Sequence, residues 1–369
     1  MSNSISRGRK ARLICYYLPQ FYPIPENDKW WGRGFTEWTN VAKAKPLFRG
    51  HYQPRLPADL GFYDLRVPET RAAQAELAEQ HGIEGFCYWH YWFAGKRLLE
   101  RPFSEVLKSG EPKLPFCLGW ANDSWTGIWH GCVDRMLIEQ TYPGKKDEED
   151  HFYSVLSAFG ESRYIRVEEK PVFYVYMPHN LPDPQGFTDR WRELALKAGL
   201  KGLYFVGEDH TLGWRPRENG FDAKVPHKPG ISSWRLDSRG ALRGLRLLRV
   251  GCRKIFRLPC RHSYKAFVDD ARSDLSDDAD CHPSVLSNWD NTPRSGRRGY
   301  VLLDSSPELF RIHLRETVRR VGVKPPEKRL IFLKSWNEWA EGNYLEPDQR
   351  YGRAFLEVTK DEVLTEEDL

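Results

Sequence analysis

Short apolar runs alternate along this chain with longer stretches that pattern as amphipathic helices. Residues 12–18 form a run of β-branched and aromatic residues stopped by Pro19, which suits a buried strand. A long loop rich in Pro, Gly and Trp follows to about residue 64, and loops of that length inside a compact domain are usually functional. Residues 67–80 then pattern as a helix, with Pro68 near its first position and Gly82 just beyond its end, and they feed a second apolar run at 83–89. Helix, glycine and buried strand in that order are the rhythm of a parallel βα array. The rhythm repeats, with apolar runs at 114–119, 171–176, 202–207, 221–225, 284–288 and 330–334, and helical stretches at 148–159, 188–198 and 307–321. Ser306 is a natural cap for the last of these helices and Pro307 its first residue. Eight such strands, each ending in polar or aromatic residues, predict an α/β fold: a single-domain (β/α)8 TIM barrel with long βα loops. A doubly wound sheet loses ground because no G-x-G-x-x-G or phosphate-binding loop opens a helix; Gly32 and Gly34 supply half of one.

In a barrel of this kind the chemistry collects at the C-terminal ends of the strands. Those ends carry Tyr17, His90 with Tyr91 and Trp92, Trp120 with Asn122, Glu208 with Asp209, Asp290 with Asn291, and Glu338 with Glu341. The richest is 330–347, L-I-F-L-K-S-W-N-E-W-A-E-G-N-Y-L-E-P, a buried strand that empties into carboxylates and indoles. This suits sugar chemistry, since an acetal needs a proton donor and a base while aromatic rings stack on the C–H faces of pyranoses. The plainer alternative is two acids in the first turn of a helix, favoured by its dipole. Glu341 is the candidate general acid and base, and Glu338 the nearby anion that raises its pKa. Glu37 and His90 are candidates for hydroxyl recognition, with His90 equally readable as a core histidine. Trp38, Trp92, Trp120 and Trp336 are candidate sugar platforms or packing residues, and Asn337 and Trp339 complete the same cluster. Asp290, Asn291 and Arg294 in W-D-N-T-P-R form a polar group directly after a strand, where Arg294 can instead pair with Asp290. No H-E-x-x-H, paired-cysteine or calcium-loop spacing occurs, so no metal and no cofactor are expected.

The run W-N-E-W-A-E-G followed by L-E-P resembles the signature of WbsX-like proteins, grouped with the glycoside hydrolase family 99 endo-α-mannosidases. Y-Y-L-P-Q-F-Y-P-I-P-E-N-D-K-W-W-G-R-G-F-T-E-W-T-N-V near the start, then G-F-C-Y-W-H-Y-W-F, W-A-N and W-D-N-T-P-R, agree in order and spacing over roughly residues 10–358. The resemblance implies that Glu338 acts as a base on the sugar's own 2-hydroxyl, which attacks C1 to give an epoxide-like intermediate, with Glu341 protonating the leaving oxygen. Such chemistry retains configuration, needs an α-mannose-type substrate and points to surface polysaccharide. Two other readings stay open: a glycosyltransferase of lipopolysaccharide or capsule assembly, which is how WbsX-like proteins are commonly labelled, and a glycan-binding barrel without catalysis. No D-x-D metal site or phosphate-binding glycine loop is present for a nucleotide sugar.

Composition changes the picture in a few places. Among 369 residues, 14 Trp and 17 Tyr point to aromatic-lined clefts as well as core, and a net charge of +5 gives no reason to expect nucleic acid. The expected organisation is a disordered tail at 1–10, one glycan-active domain at 11–358 and an acidic, disordered tail at 359–369. Seven scattered cysteines without paired spacing fit a reducing cytoplasm, and neither a secretory signal nor eighteen consecutive apolar residues occur. Residues 235–265 hold ten Lys and Arg against one acid, a local +9 that leaves −4 for the remainder of the chain. Apolar residues interleave there, so the segment can lie on an anionic membrane surface, contact a lipid-linked glycan, or form a solvated outer helix.

Overall fold

The computed structural model describes residues 8–127, 135–211, 213–227, 258–273 and 278–365. Eight strands, β1 (Arg12–Tyr17), β2 (Ile83–Phe93), β3 (Phe116–Trp120), β4 (Lys170–Val175), β5 (Tyr204–Asp209), β6 (Ala223–Pro226), β7 (Ser284–Leu286) and β8 (Leu330–Lys334), lie side by side in chain order. β1 pairs with β2 on one side and with β8 on the other, and every neighbouring pair is parallel. Between β6 and β7 the ring is closed by a narrow parallel bridge: Lys224 N–H donates to Asp280 and His282 N–H donates to Lys224 C=O, both at 2.8 Å. The predicted (β/α)8 barrel is the fold observed.

All eight expected strands are present, with ends shifted by a few residues. The largest shift is in β2, whose eleven residues are all buried and which runs to Phe93 instead of stopping at Trp89. The barrel interior is packed with aromatics. Tyr16 stacks on Trp89 at 5.0 Å and meets Tyr174 edge-on at 5.3 Å, with Phe332 beneath. Gly119 makes room for this layer, since a Cβ there would lie 2.9 Å from Cys87 Sγ and 3.2 Å from the Trp89 ring. Outside the sheet, Trp191 on the helix Pro184–Lys197 is fully buried between Phe173 and Phe187. The helix Pro307–Val321 has the predicted bounds, and Ser306 Oγ accepts from Leu309 N–H as its cap.

Two expectations about the ends need correction. The helix Ala354–Val363 runs through the first part of the tail expected to be disordered, with Thr359 and Val363 fully buried. Its acids are not loose charge: Glu362 accepts from Arg311 at 3.0 Å and Arg315 at 2.7 Å on the preceding helix. Residues 8–10 of the expected N-terminal tail are pinned beside it, through Lys10 N–H to Val363 and Thr365 N–H to Gly8. Residues 235–257 of the basic segment lie outside the described residues. Its remainder forms a strand, Cys260–Ser263, paired in parallel with Tyr300–Leu303, and leads into the helix Tyr264–Ser273. A small second cluster of Tyr264, Phe267, Val268, Leu286 and Leu302 anchors this unit to the barrel. Among the described residues no helix is long and apolar enough to cross a membrane.

Candidate active site

β8 ends at Lys334, whose peptide bond to Ser335 is cis. Beyond it the chain folds into a tight hairpin, with Asn337 and Glu338 pairing antiparallel to Tyr344 and Asn343 around the single turn Trp339–Glu341. Ser335 Oγ accepts from Glu338 N–H and donates to Asn343 C=O. Asn337 fastens the hairpin to the end of β1, accepting from Leu18 N–H at 2.7 Å and donating to its carbonyl. Gly342 closes the turn at φ +62°, and a Cβ there would stand 2.8–2.9 Å from the Cβ and backbone nitrogen of Asp290. Gly342→Ala should therefore destabilise the fold by about 1–3 kcal/mol and reduce activity by moving Glu341. Urea melts and assays of the variant check both; a stable, fully active variant would show the turn to be adaptable.

Each oxygen of Glu338 takes one N–H donor, Trp89 Nε1 at 2.9 Å and Asn343 Nδ2 at 2.9 Å. Burial, reinforced by the negative charge of Glu341, pushes the Glu338 carboxyl up to about 7 against the pull of Lys334 and Arg294. Glu341 is bound by Arg294 at 2.6 Å, and the same guanidinium donates to Glu37 through Nε at 2.8 Å. Arg294 thus bridges two carboxylates from loops far apart in sequence. Burial opposes its charge, but Glu37, Glu341 and Glu338 outweigh that and hold it protonated. Glu37 is fully buried, its second oxygen takes no donor, and desolvation raises its pKa despite Arg294.

Across the mouth, Lys334 Nζ lies 3.5 Å from Glu208 Oε1 and 5.9 Å from the centres of the Tyr176 and Trp289 rings. Glu208 also accepts from Tyr174 Oη at 2.6 Å and from His227 Nδ1. Desolvation disfavours its charge, yet Lys334 and His227 pull the Glu208 pKa far below the usual carboxylate range.

Alternation along the strands decides which predicted residues meet here. On β2 the odd positions Cys87, Trp89 and Tyr91 face the barrel interior and mouth, and the Tyr91 hydroxyl is raised first by burial and then by Glu338, with Glu37 and Glu341 adding to it. His90 and Trp92, on the even positions, face outward. His90 Nε2 contacts His151 Nε2 at 2.8 Å, and Trp92 stacks on His151 at 4.9 Å while donating to Asp147. Trp120 packs on the same histidine and on Phe187. Tyr17 donates to Gln74 behind the sheet, and Asn122 clamps the turn at Met177. Trp336 is fully buried, and Trp38 and Trp339 pack on each other at 5.5 Å. Trp339 Nε1 donates to Glu346, and Trp38 Nε1 to the carbonyl of Tyr63.

Asp290 pairs with His51 rather than Arg294, and accepts from Gln53 and the Thr292 hydroxyl, with Arg55 at 3.7 Å. Asn291 receives the Tyr300 N–H. Glu37, Tyr91, Arg294, Glu338 and Glu341 therefore converge, whereas the other predicted residues brace the walls. Trp89, Tyr176, Glu208 and Lys334 complete the mouth. Trp89 and Lys334 were legible from strand parity, sharing a face with Cys87 and Phe332, whereas Tyr176 and Glu208 had only their position at strand ends to mark them.

A closed parallel barrel whose mouth gathers four carboxyls among aromatic rings is the architecture of a carbohydrate-active enzyme. The chain belongs to the glycosyltransferase WbsX family, whose model matches residues 13–359. It is 39% identical over 353 residues to the uncharacterized protein WxcX of Xanthomonas campestris pv. campestris strain B100, covering 95% of this chain and 49% of that protein. A second strain of the same pathovar has a WxcX that is 40% identical over 362 residues. The chain spans about half the length of these curated relatives. Among solved structures it is similar to a glycoside hydrolase-like protein, with TM-score 0.56 and 15% identity over 95% of this chain and 93% of the other. It is also similar to the GH99 endo-alpha-mannosidase from Bacteroides thetaiotaomicron, with TM-score 0.54 and 13% identity over 95% and 96%. At such identities these likenesses establish the shared barrel fold.

Proposed function

We propose that the chain cleaves an internal α-mannoside-type bond in bacterial surface polysaccharide, with retention of configuration. The observation that carries this reading is the pair Glu338 and Glu341 at the end of β8 in one buried mouth, where the negative charge of Glu341 adds to burial in raising the Glu338 carboxyl. Glu338 takes the proton of the sugar's 2-hydroxyl, which then forms a bond to C1 as the glycosidic C1–O bond breaks. Glu341 gives its proton to the departing oxygen; water then attacks C1 as Glu341 takes its proton, the C1–O2 bond breaks, and Glu338 returns its proton to O2. Trp89 and Asn343 fix the Glu338 carboxylate, and Glu37 remains as the counter-ion of Arg294 while Glu341 carries a proton. An endo-alpha-mannosidase, as the GH99 neighbour from Bacteroides thetaiotaomicron is, agrees with an internal mannosidic bond.

The raised pKa makes Glu338 a strong base for a carboxylate near neutrality. Because the base must be ionised, kcat/KM should rise with pH through about 7 and fall below it. A profile that instead falls as pH rises through that value would make Glu338 the proton donor. The direct test is to incubate the protein with polysaccharide, with and without nucleotide sugars, and follow anomeric signals by NMR. Cleavage without nucleotide sugar and an α-configured first product are expected. The family description favours a second reading, a glycosyltransferase of polysaccharide assembly. Glycan extension only when a nucleotide sugar is supplied would establish it.

A further inference from the structure

A cluster of nitrogen and oxygen donors at the ends of β5 and β6 has no part in the scheme above. His210 follows β5, His227 follows β6, and both half-buried rings flank Glu208 on the Lys334 side of the mouth. One donor atom from each of Glu208, His210 and His227 can be chosen so that all three lie within 4.8 Å of one another. We propose that His210 and His227, with the Glu208 carboxylate, bind a divalent transition-metal ion of the Zn2+ class at the barrel mouth.

The hydrogen bonds around the two imidazoles prepare them as ligands. His210 Nε2 lies 2.9 Å from the Tyr176 carbonyl, an acceptor only, so Nε2 carries the hydrogen and a neutral ring leaves the Nδ1 lone pair free. His227 Nδ1 shares a hydrogen with Glu208 Oε1, and an ion bound here would displace that hydrogen and take both atoms as ligands. Metal-ligating histidines are oriented as His210 is, with one nitrogen tied to a carboxylate or carbonyl and the other turned to the ion. The charge of the mouth points the same way. Four carboxyls, Glu37, Glu208, Glu338 and Glu341, face two cations, Arg294 and Lys334, there.

The rings lie face to face at 4.1 Å and 27°, so ligation requires them to turn and draw inward. Ligands about 2.1 Å from a tetrahedral ion stand roughly 3.4 Å apart. Positions left open on the ion would face the mouth, where a pair of sugar hydroxyls can occupy them. That last role rests on the carbohydrate reading; metal binding itself does not.

The test uses the untagged 369-residue chain stripped with a chelator, titrated with Zn2+ by calorimetry and with Co2+ by visible absorption. One equivalent per chain is expected, with ligand-field bands and no thiolate charge-transfer band. His210→Gln and His227→Gln should each weaken binding by about tenfold or more in metal-free proteins that circular dichroism shows to be folded; if one fails to fold, the other carries the comparison. Unaltered affinity in the folded variants, absence of binding, or a thiolate band implicating Cys260 would each overturn the proposal. Since the readout is binding and not turnover, such failure leaves the glycosidase reading standing.

Discussion

Glu341→Gln is expected to lower turnover of a glycan with an ordinary sugar leaving group by about 10²–10⁴-fold while glycan binding remains measurable. The amide keeps the shape of the side chain and can still receive the Arg294 hydrogen bond that the carboxylate accepts at 2.6 Å. What it loses is the proton that the departing oxygen needs. The loss should shrink with an activated leaving group, such as a nitrophenolate, which departs without protonation. Glu338→Gln should be as damaging but without that rescue, because the 2-hydroxyl then has no base whatever the leaving group. Steady-state rates on natural and activated substrates give this contrast. Wild-type turnover in the Glu341 variant would remove the acid assignment, and full activity in the Glu338 variant would remove 2-hydroxyl participation.

The second large effect is expected at a residue that touches no substrate. Asp290 is fully buried and holds together three parts of the mouth. Its side chain accepts from His51 and Gln53 of the first long loop, each at 2.8 Å, and from Thr292 at 2.6 Å ahead of Arg294. Its backbone N–H donates to the Glu341 carbonyl at 2.6 Å. Hydrogen bonds and the charge of Arg55 outweigh desolvation and keep the Asp290 pKa below its ordinary value. Asp290→Ala would leave Arg55 buried without this counter-ion and strand the donors of His51 and Gln53. Removing one partner of a buried pair costs about 3–5 kcal/mol, so denaturant melts should show a loss of that order. Asp290→Asn, which keeps the acceptor oxygen facing Thr292, should lose less stability yet still lower kcat more than it raises KM, because it loosens Glu341. Equal stability of Asp290→Ala and the parent would mean that the loop is held by other contacts.

Much of the fold was legible before any coordinates. The apolar runs of β1 and β8 and the capped helix Pro307–Val321 were marked by local signals: β-branched and aromatic runs, Ser306, and a proline at the first helical position. Their count and order were enough for the barrel, because a parallel strand that alternates with helices has few ways to bury both faces. The pair Glu338 and Glu341 was likewise visible, as two acids among indoles directly after a buried strand. The basic segment was visible only as composition, and at 235–257 it lies outside the described residues.

The inward or outward direction of each side chain was decided by the tertiary structure. The run Y-W-H-Y-W-F looks uniformly aromatic, yet a shift of one residue on a strand turns a side chain to the other face. That single alternation put Trp89 and Tyr91 at the barrel mouth and sent His90 and Trp92 to pack on His151. Long-range pairings were hidden for a related reason. Arg294 lies 257 residues from Glu37 and 47 from Glu341, and Asp290 lies 239 from His51. Nothing local in sequence encodes those distances; ring closure sets them by bringing β8 beside β1. The sequence alone therefore determined which elements form, through local hydrophobic patterning and capping. The closed barrel decided which charges meet, since only burial in a shared mouth makes their partners matter.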